Sequence, residues 1–580
     1  MSLSRTIARL TVAALLAIAP NAPAQTAGPE PASSPGAVGP TLRTSSNLVV
    51  VDVVVSEHDQ PVLGLDRSAF HVFEDGKEQP LSSFDEHQPA ATPPVVTRSA
   101  LPPNTYSNQP VWPNSSAVNV LLLDALNTPL SDQANMRQRM IHYLGTIKPG
   151  TAMAVFTLSS QLRMVTDFTT DPAALVAALK NSKANPQQSA TLASEQSEEN
   201  AAWLAQVQGN AQLALQRFLA DHAASETDAR TKVTLAAMQE LAGYLRGVPG
   251  RKNVIWFSGS FPLAILPDSM LSPGFQNVTN YREQIQQTSE MLTTARVAFY
   301  PVDARGLAEP PEFNAAQAGP GSNQPPWKEG QQRNSEQSAM LQVAEETGGR
   351  AFVDTNDFDK AVTAAVNDGS SYYTISYVPP SNHLDGQFHK IEVRLDYSRK
   401  LNLAYRRGYY AEKPDAPLAG QDSASKQFVA ALAHDAPPAT QILFEARVVP
   451  ASDPLLKGVS IPSPAPGQMT LKGTPHRYVI DLTLDAHSLT FDPKPDGSHQ
   501  AALELAVVGY DAIGQPVNLY QHPFQLGLKD ALMQRVMTSG IPLRLAFDLP
   551  AGQIYLRIGI HDLNANRAGS LEVPLQVSAQ

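Results

Sequence analysis

Asn119-Val120-Leu121-Leu122-Leu123-Asp124-Ala125-Leu126-Asn127-Thr128 is an uninterrupted apolar run that stops at a carboxylate, an amide and a hydroxyl. A run of this length without polar alternation fits a β-strand covered on both faces. On its C-terminal side, residues 134–144 have helical spacing behind Ser131 or Asp132 as N-cap. Residues 152–158 and 162–168 read as strands, and the short Ser159-Ser160-Gln161 turn between them makes an antiparallel edge. Asp171-Pro172 opens a further helix. The alternation then continues through a helix at 231–245, a buried strand at 253–257, a helix at 281–294 and a strand at 297–302. A loop follows at 306–335, then a helix at 341–347 stopped by Gly348-Gly349, and a strand at 350–353. Repeated strand–helix–strand units predict an α/β domain over residues 117–368, with a doubly wound, Rossmann-like and mostly parallel sheet. Residues 181–224, rich in Ala, Gln, Ser and Glu, read as a helical insertion in it.

Outside this domain the pattern changes. Arg5 and Arg9 precede the apolar run 10–19, and Ala22-Pro23-Ala24 supplies a small-x-small cleavage signature. Residues 1–24 are therefore expected to be a signal peptide and 25–45 a flexible lead, which makes the protein exported, to the periplasm or the cell exterior. Pro20 ends the run well short of the ~20 apolar residues that a membrane span needs. Residues 46–90 alternate like a small β-module, and 91–116 read as a Pro-rich linker or a long connection lying on a neighbour. Residues 369–413 return to antiparallel strands expected to pack with the β-module. Residues 414–436 look like a boundary, and short strands recurring over 440–580 predict a C-terminal β-sandwich.

The chain has 580 residues, 43 Lys+Arg against 54 Asp+Glu, and no cysteine. A formal net charge of −11 disfavours nucleic acid and anionic membranes as partners. Without cysteine there is no thiol nucleophile, thiolate zinc site, iron–sulfur cluster, disulfide or cysteine-linked lipid anchor.

In open α/β sheets ligands sit beyond the carboxyl ends of the strands, where strand order reverses. That rule singles out Asp124, Ser258 and Asp303, with Asn127 and Thr128 beside the first of them. At these residues the sequence resembles the von Willebrand factor A family. The resemblance extends to Pro249-Gly250-Arg251-Lys252-Asn253, Trp256-Phe257-Ser258-Gly259, Tyr300-Pro301-Val302-Asp303-Ala304-Arg305-Gly306 and Ala344-Glu345-Glu346-Thr347-Gly348-Gly349. With Phe73-Glu74-Asp75-Gly76-Lys77 before the domain and Arg406-Arg407-Gly408-Tyr409 after it, these stretches resemble a secreted bacterial, VWFA-related branch over about residues 45 to 412.

The resemblance implies a von Willebrand A fold whose strand ends bind a ligand through a metal-ion-dependent adhesion site holding magnesium (Mg2+). By position, Asp124 matches the motif's Asp and Thr128 its last hydroxyl, while Thr231 and Thr234 are alternatives for the helix-borne threonine. The metal set it implies is Asp124, Thr128 and Thr231. Two positions depart from it: Leu126 replaces a hydroxyl and Gly259 a carboxylate. The site is therefore expected to be degenerate, with fewer oxygen ligands than a hard cation prefers. A second reading of Asp124 and Thr128 is structural, as hydrogen-bonding groups that hold the loops together. Asp303 either restores the lost charge or pairs with Arg305.

Three functions follow as expectations. The first is an exported, non-enzymatic adhesion or interaction protein that binds a protein or cell-surface ligand at the carboxyl edge of the sheet. The second is a carbohydrate-binding or envelope-assembly protein acting through the sandwich, with Tyr510, Tyr520 and Tyr555 as stacking candidates. The third is a hydrolase, for which Phe257-Ser258-Gly259-Ser260-Phe261 lacks the Gly-x-Ser-x-Gly elbow and no His-Glu-x-x-His occurs.

Overall fold

The computed structural model describes residues 48–58, 60–88, 101–109, 117–128, 130–147, 150–181, 210–248, 250–260, 282–307, 326–379, 387–397, 401–411, 428–464, 468–469, 471 and 474–578. The signal-peptide and flexible-lead expectations lie outside these residues, as do residues 182–209 of the helical insertion.

The apolar run around Leu121 is the middle strand of a five-stranded sheet. The strands are β1 (Ala117–Asp124), β2 (Met153–Leu158), β3 (Leu162–Thr169), β4 (Arg251–Ser258) and β5 (Val297–Asp303), in the order β5-β4-β1-β2-β3. All neighbours are parallel except β3, which runs antiparallel along the edge of β2. Alternate side chains of β1 leave on opposite faces. Val118, Val120 and Leu122 enter one core with Met238 and Leu241 of α3 (Asn210–Leu245), Leu292 of α4 (Arg282–Thr294) and Met340 of α5 (Pro326–Thr347). Leu121 and Leu123 enter another with Met136 and Met140 of α1 (Leu130–Thr146), Leu175 of α2 (Pro172–Asn181) and Ala361 of α6 (Phe358–Ser370). The sheet is thus covered by helices on both faces, which is why β1 carries no polar alternation.

Several boundaries differ from the sequence reading. Residues 210–245 form one continuous helix, with no break at 224 between an insertion and a domain helix. Residues 326–335, expected from sequence to be loop, are the first turns of α5, which brings Met340, Val343 and Ala344 into the core. Residues 350–353 contribute a single parallel bridge, Phe352 to Val302, instead of a strand.

Residues before and after the α/β domain build one module. Val49–Glu57 pairs antiparallel with Tyr372–Tyr377 and Asn402–Ala404, and Phe70–Glu74 pairs with Phe388–Leu395. The two sheets enclose a shared core that includes Val51, Val72, Tyr373 and Ile391. Asp52 accepts hydrogen bonds from Arg296, just after α4, and from Thr374. Arg251, fully buried at the start of β4, donates to Tyr300 Oη at 3.1 Å and to the Gly348 carbonyl at 2.6 Å.

Gly348 and Gly349 do more than end α5. Gly348 has φ +78°, and a Cβ on it would lie 2.7 Å from the backbone nitrogen of Arg406. A Cβ on Gly349 would lie 1.7 Å from the Phe299 carbonyl oxygen. Gly349→Ala is expected to lower the unfolding free energy by about 2–3 kcal/mol, read from urea denaturation, because the backbone of β5 must move to admit the methyl group.

The C-terminal region consists of two antiparallel sheets. One has the order Ile541–Leu549, His476–Leu484, Phe444–Pro450, Thr105–Ser107. The other places Ser498–Tyr510 between Pro516–Lys529 and Gly552–Asp562, with Arg567–Val577 beyond. Their inner faces share a core with Phe444, Ile480, Leu503, Phe547 and Ile558. Thr105–Ser107 lies inside the stretch expected to be a linker. It is an edge strand, followed by Asn108, whose amide donates to the carbonyls of Ala439 and Ile442. Three residues held by backbone bonds leave no periodic signal among prolines.

Candidate functional site

The turn after β1 is closed by backbone and side-chain bonds. The amides of Ala125 and Leu126 donate to the Leu158 carbonyl at 2.8 and 3.1 Å, and Gln133 Nε2 donates to the carbonyls of Ala125 and Thr128, both at 2.9 Å. Leu126, at the motif's middle position, is a core residue packed with Leu122 and Trp256. The hydroxyl absent there is therefore replaced by hydrophobic packing.

Asp124 is completely buried and forms the centre of a hydrogen-bonded cluster. Its Oδ1 accepts from the Asn127 amide at 2.9 Å. Its Oδ2 accepts from Asn127 Nδ2 at 2.9 Å, Trp256 Nε1 at 3.0 Å and Ser258 Oγ at 2.9 Å. Asn127 Nδ2 also donates to Thr234 Oγ1 at 3.0 Å, which ties α3 to the turn. Thr128 Oγ1 accepts from the Gly259 amide at 2.9 Å, joining the ends of β1 and β4. Burial pushes the Asp124 carboxyl up from its ordinary value, against the opposing pull of the hydrogen bonds from Asn127, Trp256 and Ser258.

The structure thus brings Asp124, Asn127, Thr128, Thr234 and Ser258 together. Thr231 is buried one turn earlier on α3, outside this set of hydrogen bonds. Between the two threonines, Thr234 is the one that reaches the turn. Asp303 is held elsewhere. It is fully buried, and both its oxygens accept from Arg305, through Nε at 2.9 Å and Nη2 at 3.0 Å. Oδ2 also accepts from Gln337 at 3.0 Å, and Arg305 continues to Glu336 at 2.6 Å. Its charge is compensated locally, which leaves the missing carboxylate of the first cluster unreplaced.

Trp256 and Gln133 were not among the residues singled out from sequence, yet both hold the turn. A signal for Trp256 existed: an indole N–H on a strand buried on both faces requires an acceptor. Gln133 sits within a polar first helical turn and carries no such signal. Among the described residues no histidine enters the cluster's hydrogen bonds, so Ser258 has a carboxylate acceptor but no imidazole base.

No protein-family model and no curated protein matches the chain. Among solved structures, it is similar to an aerotolerance-related membrane protein from Bacteroides fragilis, at 14% identity over 44% of this chain and 99% of the other, with a TM-score of 0.23. It is also similar to a von Willebrand factor type A protein from Catenulispora acidiphila, at 12% identity over 61% and 80%, with a TM-score of 0.18. A third is the three N-terminal domains of a type V pili tip protein from Porphyromonas gingivalis, at 8% identity over 86% and 78%, with a TM-score of 0.21. No helix among the described residues is long and apolar enough to cross a membrane.

Proposed function

We propose that the chain is an exported, non-enzymatic binding protein in which a doubly wound, von Willebrand A-like domain grips a protein or cell-surface partner by metal-independent contacts. The partner meets the carboxyl-end rim at its exposed point, Leu307, beside the mostly buried residues 124–128, 258–260 and 303–306 that set its shape. One observation carries the reading: the Asp124 carboxylate is out of contact with water and is surrounded by three N–H donors and the Ser258 hydroxyl, which it shares with the Ser260 carbonyl. An ionised carboxylate offers about four lone-pair sites, so protein N–H and O–H groups fill the places that a cation and its waters would take. Magnesium further requires several oxygens around an open octahedron. Thr128 Oγ1 is engaged by the Gly259 amide, and Leu126 offers carbon, so Asp124, Thr128 and Thr231 are a poor donor set for it. Asp124 on this reading is a structural hub that sets the shape of the rim.

At the rim, Leu307 follows β5 and is 56% exposed. Loss of a central apolar contact typically weakens an interface strongly. Capture of the envelope partner by the full chain is expected to be the same in EDTA and in magnesium, and to fall about tenfold in Leu307→Arg. Capture that disappears in EDTA, or that ignores Leu307→Arg, contradicts the proposal.

The sandwich reading has less support. Tyr510 donates to the Leu432 carbonyl at 2.9 Å, Tyr555 packs 4.5 Å from the His434 ring, and Tyr520 packs against the sandwich core. Tyr510 and Tyr555 face each other across paired strands and share the His434 ring, while Tyr520 packs with the sandwich core, so the three do not make one stacking strip. For the hydrolase reading, no histidine stands beside Ser258 among the described residues.

A further inference from the structure

A cavity of about 420 Å³ lies where α3 and α4 meet residues 428–441 and the end of Gly552–Asp562. That volume falls within the ordinary range of small-molecule sites. Its wall is mostly apolar, with Leu235 on α3, Met291 on α4, and Phe428 and Pro438 on the connecting segment. Glu240 is the only carboxylate among the described lining residues, and its Oε1 is buried without a hydrogen-bond partner. The cations nearby make their hydrogen bonds elsewhere, although the charge of Arg557 reaches Glu240. Arg557 donates to the carbonyls of Ala431 and Pro437, both at 2.8 Å, and to Ser570 Oγ at 3.1 Å, while Lys232 pairs with Asp228 at 2.7 Å. His561, also on the wall, bonds Asn566 through Nε2 at 3.1 Å and has Glu504 at 3.6 Å from Nδ1.

A second feature keeps this space open. Gly243 lies on the wall within α3, and a Cβ built on it meets nothing within 4 Å. Neither a positive φ nor a close backbone approach requires glycine there, and in a helix interior glycine is less favourable than alanine by roughly 1 kcal/mol. The small residue coincides with a void.

We propose that this cavity is a binding site for a small amphipathic amine, its apolar body against Leu235, Met291 and Phe428 and its ammonium group on the Glu240 carboxylate. A buried carboxyl without a donor is costly, and an ammonium brings three donors and the opposite charge. Burial holds Glu240 neutral near pH 7, with its pKa pushed up to about 8 despite Arg557, so an arriving cation is the partner that restores its charge. The site does not depend on the rim reading, because none of its residues belongs to the rim.

Calorimetric titration of the full chain with n-hexylamine, and with n-hexanol as the neutral match, tests the proposal. Hexylamine is expected to bind saturably and more tightly than hexanol. Glu240→Gln should weaken hexylamine about tenfold, the loss expected for a charge-assisted hydrogen bond, and leave hexanol unchanged. Gly243→Leu, which fills the space, should abolish both while the thermal midpoint holds or rises. Absence of saturable hexylamine binding to the native chain overturns the proposal. So does equal affinity of hexylamine for the native chain and Glu240→Gln, or for hexylamine and hexanol.

Discussion

Asp124→Ala is expected to lower the unfolding free energy by about 3–5 kcal/mol, because it removes the buried acceptor shared by the Asn127 amide and side chain, the Trp256 indole and the Ser258 hydroxyl. All of these converge on that carboxylate, and of them the Ser258 hydroxyl has a second acceptor in the Ser260 carbonyl at 2.6 Å. Asp124→Asn is the more telling variant. It keeps the volume but presents an NH2 group to one side of the cluster, so a donor must face a donor. A loss of about 2–4 kcal/mol is expected for it, measured by urea denaturation at constant m-value. A neutral result for both variants would remove the structural role assigned to the residue.

The second large effect lies at the seam between the β-module and the α/β domain. Asp52→Ala should cost about 2–4 kcal/mol near neutral pH, since it removes the carboxylate that accepts from Arg296 and Thr374 and leaves the guanidinium only the Thr374 hydroxyl. The lower end allows for the partial exposure of Arg296. Burial alone would raise the Asp52 carboxyl, but Arg296, through charge and hydrogen bonds, outweighs it and holds the group below its ordinary value of 3.8. A carboxyl depressed in the folded state stabilises the protein above its unfolded pKa, and this contribution is lost as pH falls through the folded one. The native protein should therefore lose stability on acidification below about pH 4 more steeply than Asp52→Asn, with thermal midpoints between pH 5 and pH 2 as the readout. Parallel acid curves for the two proteins would contradict the assignment.

The sheet was the most legible part of the fold, and for a plain reason. Strands such as Ala117–Asp124 and Arg251–Ser258 are buried along their whole length, so composition alone marks them. The edge strand Pro516–Lys529 escaped notice because half of its residues are exposed and Pro523 interrupts it, as an edge permits. α7 (Asp530–Ser539) escaped because only Val536 is buried in it. In the site, Asp124, Asn127, Thr128 and Ser258 were found from their place at strand ends, a rule about chain topology. What could not be read was which distant partner each one takes. Asp303 ends its strand as Asp124 does, yet Arg305 two residues on claims it, and Trp256 reaches Asp124 from a neighbouring strand 132 positions away. Sequence spacing carries the first kind of contact and not the second. The Asp52–Arg296 pair, between residues 244 positions apart, was illegible for the same reason.

Calorimetric titration of the full chain with manganese, up to about 10 mM and beside Asp124→Ala, puts the central claim to the most direct test. That range exceeds the roughly 1 mM of the weakest extracellular calcium sites. A closed cluster predicts no saturable heat from either protein. Saturable heat in the native chain that vanishes in Asp124→Ala would mean that the carboxylate opens to hold a cation, and the metal-independent account would fail.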